Sequence, residues 1–334
     1  MSTPTRPFDA LDRQIVAALQ KDGRASWTEI AEECGATLPT VTRRGQSLLA
    51  SSALRVGVSS NINSPGETDL FMLRIAVRAG SQVTVARALA RRTDLRFLCL
   101  VTGGSDLLAE LVCRRTDSLH VRQINEILAI DGVEACESDL VLHAYKVSQH
   151  WAQGATSSRE SASDEIQPPH VCDPSHFDET DLAILHELRT DGRASFRSVA
   201  DSIGVNESTV RRRFEAMRDR GCAWVLTLVA ASVLGFESEI VLNISVQPKR
   251  IDDIAHELSS YVGVRYLAAT LNGNLMCELI MPSSKDVFEF MTQGLGRIDG
   301  VLGWTASVEL LTVKRGFLET PWWLETVGGS PLTP

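Results

Sequence analysis

Asp191-Gly192-Arg193-Ala194-Ser195 repeats Asp22-Gly23-Arg24-Ala25-Ser26 without a change, 169 positions later in a chain of 334 residues. The flanks recur at the same offset: Phe8, Asp12, Ile15, Leu19, Ala31, Gly35, Thr40, Val41, Arg43 and Arg44 return as Phe177, Asp181, Ile184, Leu188, Ala200, Gly204, Thr209, Val210, Arg212 and Arg213. Further on, residues 73–77 align with 242–246, and near the end the offset becomes 168, as residues 131–133 align with 299–301. Two copies of so long a unit indicate two tandem modules rather than a solenoid.

Composition narrows the class of protein. Hydrophobic residues make up 44% of the chain and charged residues 22%, which is ordinary for a globular protein of two to four domains. No window approaches about 18 consecutive apolar residues, and the N-terminus lacks a signal peptide, so we expect a cytoplasmic protein without a membrane span. The seven cysteines form no Cys-x-x-Cys pair, which favours reduced buried thiols. We predict neither a metal site nor a cofactor.

The start of the first module has the pattern of a helix-turn-helix unit. Apolar residues at helical spacing predict a first helix over about 9–21, which Asp22-Gly23 ends. Ser26 and Glu29 form a predicted capping box for a second helix that ends at Gly35. A third helix is expected from about 37 to 50, and a short strand at 54–58 would form a wing. Residues 8–58 are therefore assigned to helix-turn-helix 1.

The rest of the first module alternates between strand and helix patterns. Strands are expected at about 70–79, 95–102, 106–113 and 133–145, and helices at about 82–92 and 117–128. The order β-α-β-β-α-β is that of the ferredoxin-like split βαβ unit. Residues 68–148 are therefore assigned to the first βαββαβ domain.

A segment rich in Ser, Pro and acidic residues, 149–176, is predicted to be a linker. The second module then repeats the order, with helix-turn-helix 2 at 177–230 and a second βαββαβ domain at 236–315. A tail follows at 316–334, in which Trp322 and Trp323 are expected to pack on a surface. The fold class is thus α+β, in two tandem copies.

The third helix of each helix-turn-helix carries the candidate DNA contacts. In the second copy Val210, Phe214 and Met217 share one face, which predicts that the arginines opposite are exposed. In the first copy Gly45 stands where the second has phenylalanine, so we expect a weaker helix with poorer packing. Exposed arginines on such a helix bind phosphates or guanine, although an arginine run alone is usually a solvated face. The candidates are Thr40, Thr42, Arg43, Arg44 and Gln46, and Ser208, Thr209, Arg211, Arg212 and Arg213.

These motifs resemble the Lrp/AsnC (feast/famine) family of regulators. Its pattern of Leu-Asp-x-x-Ile, then Asp-Gly-Arg, then Ala-x-x-x-Gly and Thr-Val-x-x-Arg is followed twice, from Leu11 to Arg44 and from Asp181 to Arg213. The resemblance implies a winged helix-turn-helix followed by a ligand-binding and dimerisation (RAM) domain in each module. It also implies pairing through the sheets and assembly into tetramers or octamers. Here two βαββαβ units in one chain would form a pseudo-dimer, and two chains the equivalent of a tetramer.

The resemblance further implies a small effector, often an amino acid, bound near the turn between the second and third strands. In this chain that turn is Thr102-Gly103-Gly104-Ser105-Asp106, where a carboxylate and free backbone amides would receive an amino acid. Gly-Gly-Ser is also ordinary turn chemistry, so a plain hairpin remains an equal reading. The second copy, Asn272-Gly273-Asn274, has no acid, and its site is expected to be altered or lost.

The sequence leaves three functions open. The leading hypothesis is a DNA-binding transcriptional regulator that binds double-stranded DNA, a small effector and a second copy of itself, and is not an enzyme. Fused two-copy relatives that decarboxylate siroheme resemble this layout, but they need histidines and arginines that line a tetrapyrrole cavity. Here the seven histidines do not recur between the copies; His143, for instance, is answered by Leu311. The third hypothesis is an effector-binding scaffold that has lost DNA binding.

Overall fold

The computed structural model describes residues 8–51, 53–60, 68–114, 119–148, 151 and 177–327. The predicted linker, apart from Trp151, and residues 328–334 of the predicted tail lie outside these ranges. Within them the described helices and strands follow the predicted order in both copies.

Each helix of the first helix-turn-helix begins where a local signal places it. Asp9 caps the first helix in a reciprocal box with Asp12, and Ser26 accepts a 3.2 Å hydrogen bond from the amide of Glu29, which confirms the predicted capping box. Pro39 lies in the first turn of the third helix, where its missing amide costs nothing. The elements are α1 (Ala10–Lys21), α2 (Trp27–Glu33), α3 (Leu38–Leu49) and the strand β1 (Leu54–Ser60).

The first βαββαβ unit follows the ferredoxin-like pattern. Its helices cover one face of a four-stranded sheet, because the apolar faces of both must be buried against each other. The elements are β2 (Thr68–Val77), α4 (Gln82–Ala90), β3 (Leu95–Val101), β4 (Leu107–Arg114), α5 (Leu119–Leu128) and β5 (Val133–Val147).

The second module repeats this order and adds a short C-terminal unit. The helix-turn-helix comprises α6 (Glu179–Thr190), α7 (Phe196–Ile203), α8 (Glu207–Asp219) and β6 (Ala223–Val229). The βαββαβ unit comprises β7 (Ser238–Val246), α9 (Ile251–Ser259), β8 (Val264–Thr270), β9 (Asn274–Met281), α10 (Ser284–Glu289) and β10 (Val301–Arg315). The predicted tail forms β11 (Leu318–Glu319) and α11 (Pro321–Thr326).

The strands join the two modules at three places. The two wing strands pair with each other, so that β1 and β6 form one shared antiparallel ribbon. In the large sheet, β5 pairs with β8 and β10 pairs with β3, while β10 also pairs with β7. The eight strands β10-β3-β4-β2-β5-β8-β9-β7 therefore close on themselves into a barrel-like sandwich.

The core is divided by these sheets. Separate apolar clusters lie between each sheet and its helices, and a further cluster that includes Met72, Val241 and Met276 fills part of the space between the two sheets. Trp323 is fully buried in the helix-side core of the first module, so the C-terminal helix of the second module is packed on the first. This confirms the expectation that the paired tryptophans pack on a surface.

The described residues also bear on membrane spans, metal sites and disulfides. No helix in this part of the chain is long and apolar enough to cross a membrane. Among the same residues no group of three or more His, Cys, Asp and Glu side chains is placed to hold a metal ion. Six of the seven cysteines are described as free thiols, four of them buried.

Candidate nucleic-acid interface

The two third helices, α3 and α8, present equivalent faces to solvent. Val41 and Leu48 in α3 are buried, as are Val210, Phe214 and Met217 in α8, and both sets are the predicted core positions. On the opposite faces Arg43 and Arg212 are exposed, and they occupy equivalent positions in the repeat. Within the described part of the chain neither forms an ion pair, which leaves both guanidinium groups available to a polyanion.

Arg44 and Arg213 have a different place from the one that the sequence predicted. Arg44 pairs with Asp9 and Asp12 at 2.6 and 2.8 Å, and Arg213 pairs with Asp178 and Asp181 at 2.7 and 3.0 Å. Each arginine ties the third helix to the capping box of the first. We therefore correct their assignment: they hold the three-helix unit together, because two carboxylates already pair with each guanidinium group.

Among the remaining candidate DNA contacts, some are paired or half-buried and others are exposed. Arg211 forms an i, i+4 ion pair with Glu207 at 3.2 Å and lies over the ring of Phe196 at 4.9 Å. Thr40 accepts a 3.0 Å hydrogen bond from Thr37 and is half-buried, as are Thr42 and Thr209. Gln46 and Ser208 are exposed, like Arg43 and Arg212.

The packing of α3 also differs from the prediction. A Cβ atom on Gly45 would lie 2.2 Å from the ring of Trp27, so the missing side chain leaves no gap. In the second copy Phe214 fills the position of Gly45, and Phe196 stands in place of Trp27, with ring centroids 5.6 Å apart. The expectation of poor packing at Gly45 was wrong, because the large ring on α2 fills the space that the small residue leaves on α3.

The repeated Asp-Gly-Arg motif joins the two helix-turn-helix units to each other. Arg24 donates to the carbonyl oxygens of Gly192 and Ala194, the latter at 3.0 Å. Reciprocally, Arg193 donates to the carbonyls of Gly23 and Ala25 at 2.6 and 2.8 Å. From the sequence, this motif predicted only where a helix ends. The exact recurrence of the arginine could have indicated a further role, because the end of a helix does not require an arginine.

The other two residues of the motif make this contact possible. Asp22 and Asp191 accept hydrogen bonds from the amides of Arg24 and Arg193 at 2.8 and 3.0 Å, which fixes the turn from which each arginine projects. A Cβ atom on Gly23 would lie 2.6 Å from Val225 of the ribbon. Glycine is needed there because the turn approaches the ribbon closely.

Aromatic rings complete the contact between the units. The guanidinium carbon of Arg24 lies 4.3 Å from the ring centroid of Phe196, and that of Arg193 lies 4.4 Å from the ring of Trp27. Burial, and the charge of Arg193, lower the pKa of Arg24 from its ordinary value. Burial likewise lowers the pKa of Arg193. We call these reciprocal contacts of Arg24 and Arg193 the arginine exchange.

The predicted effector turn of the first module lies against the second module. Thr102 exchanges two 3.0 Å hydrogen bonds with Val308, through its amide and its hydroxyl. The Asp106 carboxylate accepts from the amide of Val77 at 2.9 Å and from Gln82 at 3.3 Å. Gly103 and Gly104 are exposed and Ser105 is half-buried. The Asp106 carboxylate thus already binds the amide of Val77 and the side chain of Gln82 near the start of α4, and the exposed part of the turn is Thr102, Gly103 and Gly104.

The equivalent turn of the second module is built similarly. The amide of Leu271 donates to Leu140 at 2.8 Å, and that of Asn272 donates to Asp139 at 3.3 Å. Asn272 is exposed, and Gly273 and Asn274 are half-buried. An acidic side chain is therefore present beside this turn after all, but it comes from β5 of the other module and is buried.

A cavity of 140 Å³ lies between the barrel and the wing ribbon. One wall is the ribbon strand β6, and the other is the inner face of the barrel. None of the residues that line it is a histidine. The lining consists of Met72, Arg96, Phe97, Leu108, Glu110, Val147, Ser148, Trp151, Trp224, Leu226, Thr227, Leu228, Val229, Val241, Arg265, Tyr266, Met276, Glu278, Arg315 and Gly316.

Comparison with known families agrees with this architecture. The model of the AsnC-type helix-turn-helix domain matches residues 8–49 and again residues 177–218. The model of the Lrp/AsnC ligand-binding domain matches residues 70–151. The duplication inferred from the Asp-Gly-Arg repeat is thus found independently in the two helix-turn-helix matches.

The two regulators compared next are about half as long as this chain. An uncharacterized HTH-type transcriptional regulator of Pyrococcus furiosus is 32% identical over 144 residues, which are 42% of this chain and 95% of the relative. The HTH-type transcriptional regulator LrpA of Pyrococcus horikoshii is 26% identical over 127 residues, 37% of this chain and 90% of that protein. One module therefore corresponds to one whole relative.

A solved structure matches both modules together. The siroheme decarboxylase NirDL aligns over 96% of this chain and 99% of its own, with a TM-score of 0.59 and 11% identity. Its complex with an iron-uroporphyrin III analogue gives a TM-score of 0.60 at 12% identity. At such identity the likeness concerns the fold. On its two helix-turn-helix domains, its ligand-binding domain and its regulator relatives, the chain belongs to the Lrp/AsnC family, as a tandem-duplicated member.

Proposed function

We propose that the chain is a sequence-specific DNA-binding transcriptional regulator. Its two third helices, α3 and α8, which we call the reader helices, differ in sequence and are held in one polypeptide. The observation that carries this proposal is the arginine exchange, which fixes the two helix-turn-helix units against each other through four backbone carbonyls. Since both units keep an exposed arginine at the equivalent position, 43 and 212, both have a means of binding DNA.

The unequal readers imply an asymmetric operator. Operator symmetry mirrors protein symmetry, and the two faces differ where Thr42 in α3 is replaced by Arg211 in α8. The experiment is selection of DNA from a random pool by the full chain, followed by titration at several salt concentrations. Two different half-sites with a steep salt dependence support the proposal. Sequence-blind binding, or none, rejects it in favour of a scaffold without DNA binding.

The second part of the proposal is modulation by a small effector, an amino acid or a related metabolite. Support comes from the match to a ligand-binding domain in the first module. If the turn at 102–106 is the site, Asp106→Ala abolishes the effector response and leaves DNA affinity unchanged. If Asp106 serves only Val77 and Gln82, the variant loses stability and DNA affinity instead.

We also propose that two chains associate. Alternate residues of β10 form an exposed apolar row, in which Leu302, Trp304, Val308 and Leu310 are 66%, 38%, 43% and 59% exposed. Contiguous apolar surface of this kind marks protein contacts. Light scattering of the full chain should give twice the chain mass or a multiple of it. A strictly monomeric mass at high concentration refutes the association.

A second candidate function is a siroheme-decarboxylase-like enzyme, which the fold similarity over 96% of the chain favours. A ligand of tetrapyrrole size needs a pocket in the upper part of the usual range of about 300–1,000 Å³. The cavity of 140 Å³ is smaller than that, and its lining holds three arginines but no histidine. Anaerobic titration with siroheme decides between the two, because a shift of its Soret band on binding would support the enzyme.

A further inference from the structure

The cavity under the wing ribbon separates two apolar clusters. On its barrel side lies the cluster that includes Met72, Val241 and Met276, and on its ribbon side lies a cluster that includes Leu226 and Leu228. The volume left between them is 140 Å³. Protein interiors hold few gaps larger than a water molecule, because the lining of an unfilled gap loses its packing contacts. A gap of this size is therefore a candidate binding site.

The charged side chains that line the cavity are paired with one another. Nε of Arg96 donates to Glu110 at 2.6 Å, and Arg315 pairs with Glu278 at 2.7 Å. Arg265 also pairs with Glu278. Each charged group of the lining thus has an oppositely charged partner within the protein, so the arginines do not require an anion from outside.

Two acids beside the lining complete the balance of charge. Glu239 pairs with Arg265 at 3.0 Å. Glu309 lies 3.5 Å from Arg315, but burial and the charge of Glu278 raise the pKa of Glu309 well above its usual range, so it keeps its proton. Three arginines therefore face three remaining carboxylates. A ligand with a net charge would be buried beside this network without a counter-charge, which is costly.

The hydroxyl groups of the lining give little support to a polar ligand. Tyr266 donates its hydroxyl to Glu110 at 3.3 Å, and Thr227 donates its hydroxyl to the carbonyl oxygen of Leu19 at 2.6 Å. These are two of the three hydroxyl groups that line the cavity. A water molecule in a cavity needs two to four polar partners, so an apolar molecule fits this lining better than water does.

The rings and the volume narrow the choice to one aromatic ring. Phe97, Trp151, Trp224 and Tyr266 all line the cavity, together with two methionines. Aromatic rings and thioether groups both make favourable contacts with a further ring, beyond the apolar area that they bury. An apolar cavity of about 150 Å³ holds a molecule the size of benzene, and the 140 Å³ here is close to that volume.

We propose that this cavity binds one small uncharged aromatic molecule of about the size of benzene. The site is distinct from the turn at 102–106, which would take an amino acid. Binding to the cavity does not depend on the proposed regulatory function, but a role of the cavity as an effector site rests on that function.

The position of the cavity links it to the reader helices. Trp224, Leu226 and Leu228 belong to β6, which is half of the ribbon that carries both helix-turn-helix units. The ribbon meets the barrel closely, since a Cβ atom on Gly316 would lie 2.4 Å from the side chain of Leu226. A ligand between ribbon and barrel would change how the two helix-turn-helix units are seated on the barrel.

The first test is calorimetric titration of the full chain with benzene, benzoate and cyclohexane. Benzene should bind saturably. Benzoate should bind at least about tenfold more weakly, because its charge finds no free counter-charge in the cavity. Cyclohexane should bind at least about threefold more weakly, because it is thicker and has no π faces. The proposal is overturned if benzene does not bind, or if either of the other two compounds binds as tightly.

Methyl NMR of the wild-type chain locates the ligand without any substitution. Among the methionines, Met72 and Met276 line the cavity, whereas Met217 lies in α8 and Met291 beside α10. Addition of benzene should shift the Met72 and Met276 methyl signals and leave Met217 and Met291 in place. The opposite pattern would place the ligand elsewhere and reject the site.

Filling the cavity gives an independent check. Val241→Phe adds a ring inside it and should reduce benzene binding at least about tenfold. Val83→Phe, at a 43% exposed position on α4, is the matched control and should bind benzene as the wild type does. Retained binding in a folded Val241→Phe protein refutes the site.

Titration of DNA with and without benzene separates the site from its regulatory role. A change of at least about twofold in DNA affinity supports that role. Benzene binding without an effect on DNA affinity leaves the site and removes the role. Absence of DNA binding under all conditions removes the proposed function, while the calorimetric and NMR results still decide whether the cavity is a binding site.

Discussion

Gly57 and Leu226 lie opposite each other at the centre of the wing ribbon, and Leu226 is the repeat of Gly57, 169 positions later. The pairs on either side are symmetric too, since Leu54 faces Val229 and Ser60 faces Ala223. A local twofold axis therefore passes through the ribbon and relates the two helix-turn-helix units. The single chain has the symmetry of a dimer in its backbone, while its side chains at the reader helices differ.

The arginine exchange should hold the reader pair together. Arg24→Ala or Arg193→Ala removes hydrogen bonds from a cation to two carbonyls, and each should lower the free energy of unfolding by about 2 kcal/mol. Binding to DNA with two half-sites should weaken more than binding to either half-site alone. Arg91→Ala, at the exposed C-terminal end of α4, is the control. Unchanged affinity for the double site would show that the readers need no fixed spacing.

The two reader helices should contribute unequally to DNA affinity. Arg212→Ala should weaken binding by about 1–3 kcal/mol and lower the salt dependence by about one ion, as expected for one lost phosphate or base contact. Arg43→Ala should have a smaller effect, because α8 also carries Arg211 where α3 has Thr42. Fluorescence anisotropy on one operator at several salt concentrations measures both. Equal losses would contradict the ranking.

Trp27 and Gly45 fill one space together, as Phe196 and Phe214 do in the second copy. Replacing the first pair by two phenylalanines should therefore be tolerated. Gly45→Phe alone should destabilise the first helix-turn-helix by about 1–3 kcal/mol, because Trp27 already fills the space. The double variant Trp27→Phe/Gly45→Phe copies Phe196 and Phe214 and should recover most of this loss. Denaturant unfolding of both single variants and the double one gives the coupling energy. Additive losses would show that the two rings do not share one space.

The free energy of unfolding should rise as the pH increases from about 8 to about 10, because of Lys314. Burial, and then the charge of Arg189, lower the pKa of Lys314 to about 8, against about 10.4 in an unfolded chain. Between these values the unfolded chain holds a proton that the folded chain has released, so stability rises with pH. The gain across the window is about 3 kcal/mol at most.

Other groups can also contribute to the pH dependence of stability. The test therefore compares the slope of the unfolding free energy against pH in the wild type and in lysine variants. Lys314→Met should remove the rise in unfolding free energy between pH 8 and 10, whereas the exposed Lys249→Met should keep it. The same slope in wild type and Lys314→Met would mean that Lys314 keeps its proton in the folded protein. That result would mean that the carbonyls of Ala90 and Arg92, to which Nζ donates, offset the cost of burying the charge.

Much of the secondary structure follows from local pattern. The capping box at Ser26 and Glu29, and the burial of Val210, Phe214 and Met217, depend on residues three to seven positions apart, which a sequence displays directly. Arg44 was misassigned because its partners, Asp9 and Asp12, lie more than thirty positions away. From the sequence alone, an arginine on a reader helix and an arginine that ties two helices together look the same.

The sequence by itself determined that there are two modules, which family pattern each follows, and where the helices and strands lie, because repetition, periodicity and capping are local properties of the chain. Only the tertiary structure decided how the modules join: that β1 pairs with β6, that β5 pairs with β8, and that Arg24 and Arg193 reach across to the opposite unit. It also decided that Arg265 and Arg315 meet Glu278 beside the cavity under the ribbon. These features arise where segments far apart in the chain meet, and there the physical partner of a side chain is set by the whole fold rather than by its neighbours in sequence.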